Sequence, residues 1–286
     1  MIIMGRRFIL RPVKEFSVPV EAEKIKPDVF AEKSLEELKS LAIYEGNRRC
    51  RLGELFNIEE EEIEGDSVEI ILEGDFGKVW RIGESMTFGE IVVNGNCGHF
   101  TGYGMKGGKI TVKGNAGSWL GGEMKGGIIE VFGDAGNHVG SVLRGLKKSR
   151  GMKGGTIIIH GNAGAEVGTK MSKGFIAVEG DCGVLPGLYM SGGTILIRGN
   201  CLGKAGARMS GGKIVICGNA GGVLPTFYID SIVPKVKVKK EKIEGPFYLF
   251  LGDVLEDIKC MGRLFINVDK NPELAKVKEL LGGEVG

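Results

Sequence analysis

Met105-Lys-Gly-Gly-Lys-Ile-Thr-Val-Lys-Gly-Asn-Ala-Gly117 is followed, 19 residues on, by Met124-Lys-Gly-Gly-Ile-Ile-Glu-Val-Phe-Gly-Asp-Ala-Gly136. The same beat runs through the middle of the chain. Its leading glycines are Gly74, Gly95, Gly114, Gly133, Gly161, Gly180, Gly199 and Gly218, separated by 21, 19, 19, 28, 19, 19 and 19 residues. A methionine stands nine residues before seven of them: Met86, Met105, Met124, Met152, Met171, Met190 and Met209. Such a period marks a repeat array whose units bury their apolar faces only against neighbours.

Four residues before the anchor glycine stand Ile91, Ile110, Ile129, Ile157, Ile176, Ile195 and Ile214. Two before it stand Val93, Val112, Val131, Ile159, Val178, Ile197 and Ile216. Apolar-x-apolar followed by a variable polar position is the period-2 pattern of a strand with one buried side. Each strand is short, and glycines then turn the chain. Nineteen glycine-rich residues leave no room for a helix beside the strand. The predicted fold is therefore all-β: a right-handed parallel β-helix, a single-stranded solenoid of about 19 residues per coil, stacked at roughly 4.8 Å. Its interior columns are Ile, Val, Met and Ala or Cys.

The chain divides into residues 1–73, an N-terminal extended and helical cap; 74–225, the repeats; and 226–286, C-terminal strands and a helix that form a cap or reach a partner. Glu21 to Phe30 reads as an extended lead-in broken by Pro27. Ser34-Leu-Glu-Glu37 has capping-box spacing and opens a helix over Leu35 to Leu41. The acidic stretch Glu59 to Glu62, with Glu64, reads as a loop. Phe247 to Leu251 and Leu264 to Val268 read as strands, and Pro272 to Leu281 has helical spacing. Caps are expected because an open end would expose strand edges.

The 286 residues carry 38 basic and 36 acidic side chains, a net charge of +2. No global charge draws the chain to nucleic acid or membrane. No 18-residue apolar run is present, and the first residues lack a signal-peptide layout, so the expected location is the cytoplasm. The absence of glutamine and the abundance of Lys and Glu fit a heat-adapted source.

Chemistry-bearing residues are mostly absorbed by the repeat. Cys97, Cys182 and Cys201 occupy the column held elsewhere by Ala116, Ala135, Ala163 and Ala220, where a thiol acts as a small hydrophobe. Cys182 and Cys201 fall on adjacent coils within disulfide reach, but a reducing compartment predicts thiols. No C-x-x-C occurs, so no iron–sulfur or zinc site is expected. His99, His138 and His160 sit at different offsets from their anchors and form no ligand cluster. Asp75, Asp134 and Asp181 interchange with Asn96, Asn115, Asn162, Asn200 and Asn219. A turn role through side-chain hydrogen bonds tolerates that exchange, and a catalytic carboxylate does not. No catalytic, cofactor-binding or metal residue is predicted.

One column is unusual. Phe100, Trp119 and His138 stand five residues past their anchors on three consecutive coils. Their neighbours Thr101, Leu120, Val139 and Val167 read as inward, which turns the rings outward; the alternative is a locally inverted corner with the rings in the core. The 28-residue gap holds a nine-residue insertion, Leu143 to Gly151, bearing Arg144, Lys147, Lys148 and Arg150. It is either a solvated loop or part of a binding face. Rings beside a basic loop make Phe100, Trp119, His138, Arg144, Lys147, Lys148 and Arg150 the candidate protein–protein interface.

The G-N-A-G-x-x-x-G beat resembles the GXGXG β-helix domain at the C-terminus of the glutamate synthase large subunit. The flanks are more specific. Ile25-Lys-Pro-Asp-Val-Phe30, Lys33-Ser-Leu-Glu-Glu-Leu38, Gly46-Asn47 and Leu52-Gly53 resemble the C-subunit family of the formylmethanofuran dehydrogenases. So do Arg150-Gly-Met-Lys-Gly-Gly155, Gly245-Pro-Phe-Tyr248 and Gly252-Asp253. Met1 to Arg11 and Leu280 to Gly286 match nothing in that pattern. The resemblance implies a structural subunit of a complex that reduces carbon dioxide and forms N-formylmethanofuran, the entry step of methanogenesis. It places the tungsten or molybdenum pterin and the iron–sulfur clusters on partner subunits and implies no catalytic residue here. Two alternatives stand beside it: a glutamate synthase-like domain of an amidotransferase, and the C subunit of the related formyltransferase/hydrolase complex.

Overall fold

A computed structural model of the chain describes residues 4–143, 145, 150–256 and 261–280. Its described residues are mainly strands. They are β1 (Met4–Pro12), β2 (Val20–Glu21), β3 (Ala42–Glu45), β4 (Arg48–Arg51), β5 (Phe56–Glu64), β6 (Val68–Glu73), β7 (Val79–Trp80), β8 (Glu90–Asn94) and β9 (Lys109–Val112). There follow β10 (Ile128–Val131), β11 (Lys153–Ile159), β12 (Lys173–Val178), β13 (Ser191–Ile197), β14 (Gly211–Ile216), β15 (Tyr228–Val238), β16 (Glu241–Gly252) and β17 (Gly262–Asn267). Three short helices, α1 (Pro27–Phe30), α2 (Leu35–Lys39) and α3 (Leu52–Leu55), lie in the N-terminal segment.

Thirteen strands form one sheet. β1, β6, β8, β9, β10, β11, β12, β13, β14 and β17 run parallel in that order. The register pairs like with like: Ile91 with Ile110, Ile110 with Ile129, Ile129 with Ile157. Every isoleucine and valine of the two predicted inward columns is fully buried, and so is each of the seven repeat methionines. A second parallel ladder links Phe76, Cys97, Ala116, Ala135, Ala163, Cys182 and Cys201. A third row of backbone bonds joins the remaining side of each repeat, for example Gly121 N–H to Thr101 O and Gly140 N–H to Leu120 O. The chain thus meets itself three times in every repeat.

The interchangeable Asn and Asp residues do more than turn their own segment. Asn96 Oδ1 accepts from Asn115 N–H, Asn115 Oδ1 from Asp134 N–H, and Asp134 Oδ1 from Asn162 N–H, at 2.7–2.9 Å. The series continues through Asp181 and Asn200 to Asn219. Only an acceptor oxygen is needed, so amide and carboxylate serve alike. The local turn role appears at the two ends, where Asp75 accepts from Gly77 N–H and Asn219 from Gly221 N–H.

Several expectations change at the ends. Pro27 does not break a lead-in but opens α1 at the first helical position, where its missing N–H costs nothing. The capping box forms as expected: Glu37 N–H donates to Ser34 Oγ, and the Glu37 carboxylate accepts from Ser34 N–H. The acidic stretch is no loop; it is β5, antiparallel to β1. Its glutamates are held by cross-strand arginines: Arg6 meets Glu60 at 2.7 Å and Arg11 meets Glu59 at 2.8 Å. Residues 4–11, unplaced from sequence, supply most of β1. Inside, the N-terminal segment packs its rings on the first repeat, with Phe56 stacked on Phe76 at 5.6 Å.

At the other end, β17 joins β14 in parallel, and β16 and β15 follow antiparallel. The hairpin of β15 and β16 folds back on its own sheet rather than extending away. Val236, Val238, Ile243 and Phe247 pack on Leu196, Val215 and Phe265 of the outer face. Arg198 pairs with Glu241 at 2.6 Å, and Lys239 Nζ donates to Thr156 Oγ1 at 2.8 Å. Pro272–Leu280 is a 3-10 helix rather than an α-helix.

Candidate partner-facing surface

The repeat corner dictates the geometry of the aromatic column. Thr101, Leu120, Val139 and Val167 are buried as predicted. To send each inward, the preceding residue adopts a left-handed backbone: φ is 61° at Phe100, 58° at Trp119 and 64° at His138. Non-glycine residues rarely do so, and here the surrounding ladders impose it. Arg81, Glu166, Leu185 and Lys204 share this conformation and lengthen the column in both directions.

The side chains stack. The Arg81 guanidinium lies 5.0 Å from the Phe100 ring centre. Phe100 and Trp119 stack at 5.2 Å with planes 16° apart, and Trp119 and His138 at 4.4 Å and 24°. His138 Nδ1 stands 3.4 Å from Glu166 Oε2. All three predicted ring residues are half-buried. The stripe is neither core nor fully free: each ring covers its neighbour and leaves an edge at the surface. The Trp119 indole N–H is buried without a hydrogen-bond partner among the described residues. Arg150 is exposed, while Arg144, Lys147 and Lys148 lie outside the described residues.

Arg81 and Glu166 escaped the sequence reading for different reasons. The 21-residue first gap displaces Arg81 by two positions, so a strict offset misses it. Glu166 holds the right offset, five past Gly161, but breaks the aromatic run.

The other histidines serve locally. His99 Nδ1 accepts from Ser118 N–H at 2.8 Å and meets Trp80 edge-on. His160 stacks on Phe132 at 4.8 Å and pairs with Glu130 at 3.0 Å. Burial pushes the Cys97 thiol up to about 11. Burial also raises Cys182 and Cys201, so neither supplies a thiolate at neutral pH. Both are free thiols. Among the described residues no three His, Cys, Asp or Glu side chains are grouped as a metal ion requires. The pterin metals and clusters implied for the complex find no fitting donor set among those described residues. Among the described residues no helix is long and apolar enough to cross a membrane.

These features define a glycine-rich, repeat-built β protein with a stacked aromatic column on one corner. No protein-family model matches the chain. About a third of it is similar in sequence to the C subunits of formylmethanofuran dehydrogenases. Over 97 residues it is 46% identical to the C subunit of the tungsten-containing formylmethanofuran dehydrogenase 2 of Methanothermobacter wolfeii, covering 34% of this chain and 36% of that subunit. The match to the C subunit of the molybdenum-containing formylmethanofuran dehydrogenase 1 of Methanothermobacter marburgensis is 42% over 91 residues, 32% of this chain and 22% of that one. The chain thus spans about a third or less of the length of these curated relatives. A solved chain of the formyltransferase/hydrolase complex of Methylorubrum extorquens, determined with methylofuran, superposes with a TM-score of 0.78. It is 28% identical, and the match covers 91% of this chain and 99% of that one.

Proposed function

We propose that the chain is the structural C subunit of a cytoplasmic formylmethanofuran dehydrogenase complex, which reduces carbon dioxide and forms N-formylmethanofuran. The supporting observation is dual. Sequence identity points to the dehydrogenase subunits, and the near-complete superposition on a chain of a multi-subunit formyl-transferring complex extends the likeness over the whole fold. In this reading the three backbone ladders close into a right-handed parallel β-helix over residues 74–225. Residues 1–73 cap one end, and residues 226–286 cap the other. The chain carries no catalytic centre of its own; the tungsten or molybdenum pterin and the iron–sulfur clusters belong to partner subunits.

The partner-facing surface is the column of Phe100, Trp119 and His138 with Arg144, Lys147, Lys148 and Arg150. Stacked rings offer large contact area at low conformational cost. Trp119→Ala combined with Lys147→Glu and Lys148→Glu is expected to weaken capture of the other subunits by the tagged chain while its melting temperature stays near wild type. Undiminished capture by the folded variant moves the interface elsewhere. A second reading, the C subunit of a formyltransferase/hydrolase complex, is favoured by the superposition alone. Metal analysis of the captured complex separates the two, because only the dehydrogenase brings tungsten or molybdenum with iron.

A further inference from the structure

A second column, on the methionine corner, is left unused by that interface. The residue after each repeat methionine stands in register with the next. Lys106 N–H donates to Met86 O at 2.8 Å, Lys125 N–H to Met105 O at 2.7 Å and Lys153 N–H to Met124 O at 2.7 Å. Three lysines therefore stack on consecutive repeats, roughly 4.8 Å apart along the backbone. Further along, Ser172, Ser191 and Ser210 take the same place. Lys106 and Lys125 are exposed and make no ion pair with a described residue. Lys153 reaches Glu123 at 3.7 Å.

Several other surface charges are paired within the chain. Arg7 meets Glu69, Lys109 meets Glu90, Arg81 meets Glu21 and Glu84, and Arg198 lies between Glu179 and Glu241. In-register lysines repel one another by up to about 1 kcal/mol per pair in water, a cost that an acidic occupant would relieve.

Beside the lysines runs a floor without side chains, Gly107, Gly126 and Gly154, followed by Gly108, Gly127 and Gly155. The first row is tightly packed: an added Cβ would stand 2.2–2.3 Å from the carbonyl oxygens of Thr87, Lys106 and Lys125. Lys109 and Ile128 form the far wall, with Ile128 44% exposed; Phe88, also 44% exposed, bounds one end.

We propose that this glycine-floored track docks an acidic, extended segment of a partner chain. Its carboxylates meet Lys106, Lys125 and Lys153, its backbone rests on the glycines, and its apolar side chains cover Ile128 and Phe88. The unneutralised lysines select an acidic occupant, and the two exposed apolar side chains select a peptide over a sugar–phosphate backbone. The inference rests on the reading of the chain as a complex subunit.

The test is tagged capture from the native host, with co-purifying subunits identified by mass spectrometry at about 50 and 300 mM salt. Lys106→Glu with Lys125→Glu is expected to cut retention of at least one identified subunit by roughly tenfold at the lower salt. Lys106→Arg with Lys125→Arg retains it, and both variants melt with the wild type. Equal capture by the charge-reversed and wild-type chains overturns the proposal while leaving the complex reading intact. Capture abolished by nuclease overturns it in favour of a nucleic acid. A wild-type chain that brings down no subunit overturns the complex reading and this inference with it.

Discussion

At the residue scale the repeat sets two kinds of demand on glycine, and they differ in cost. Gly104 has φ 65° and only the Ser85 hydroxyl, 3.2 Å away, near an added Cβ. Its column equivalents Ser85 and Glu123 bear side chains at the same backbone conformation. Gly104→Ala is therefore expected to cost about 1 kcal/mol, the left-handed penalty alone. Gly107 is tighter where it stands, since its Cβ would overlap the Thr87 carbonyl oxygen at 2.2 Å, even though Lys173 bears a side chain at the equivalent place three repeats on. Gly107→Ala forces the ladder apart and is expected to cost at least about 3 kcal/mol. Denaturant titration of the two variants checks the order; equal losses would mean that the corner relaxes freely.

At the element scale the C-terminal closure hangs on Asp253, which is only 2% exposed. Burial alone would raise its pKa, but backbone N–H groups of Arg208 at 2.9 Å and Leu255 at 3.0 Å outweigh it and hold the carboxyl below its usual value. A lowered folded-state pKa stabilises above the unfolded value and loses that stability as pH falls through the folded one. Asp253→Asn is accordingly expected to lower stability by about 2 kcal/mol at neutral pH. The gap to wild type should close below about pH 4. Melting curves across that range check it, and a gap independent of pH would assign the loss to shape rather than charge. β5 shows how an element escapes a one-dimensional reading. Its run of glutamates looks like a solvated loop until β1 places Arg6 and Arg11 opposite.

At the scale of the whole molecule, each strand of the repeat array pairs in parallel with its equivalent in the next repeat, so damage to one repeat reaches its neighbours. Ile129 lies in the middle of the ladder, paired with Ile110 and Ile157 and fully buried. Ile129→Asp buries an unpaired carboxylate there and is expected to unfold the array at ordinary temperature. Circular dichroism melts check this; a variant within a degree or two of wild type would show that the column is not inward.

The repeat itself was legible without coordinates. A buried column recurs every 19 residues because each layer must match the one below, so the isoleucines, valines and methionines announce their own burial. The end segments were legible only where a local rule governs them, as in the Ser34–Glu37 box. β5, the fold-back of the β15–β16 hairpin and the 3-10 form of Pro272–Leu280 depend on what stands opposite in space. The aromatic column divides the same way. Phe100, Trp119 and His138 share an offset that sequence reveals, whereas Arg81 and Glu166 join them only through the stacking of layers. The amino-acid sequence by itself determined the period and the inward columns, because those follow from contacts between equivalent positions. Only the tertiary structure decided how the ends close and which charges go unanswered, because those follow from contacts between positions that no period relates.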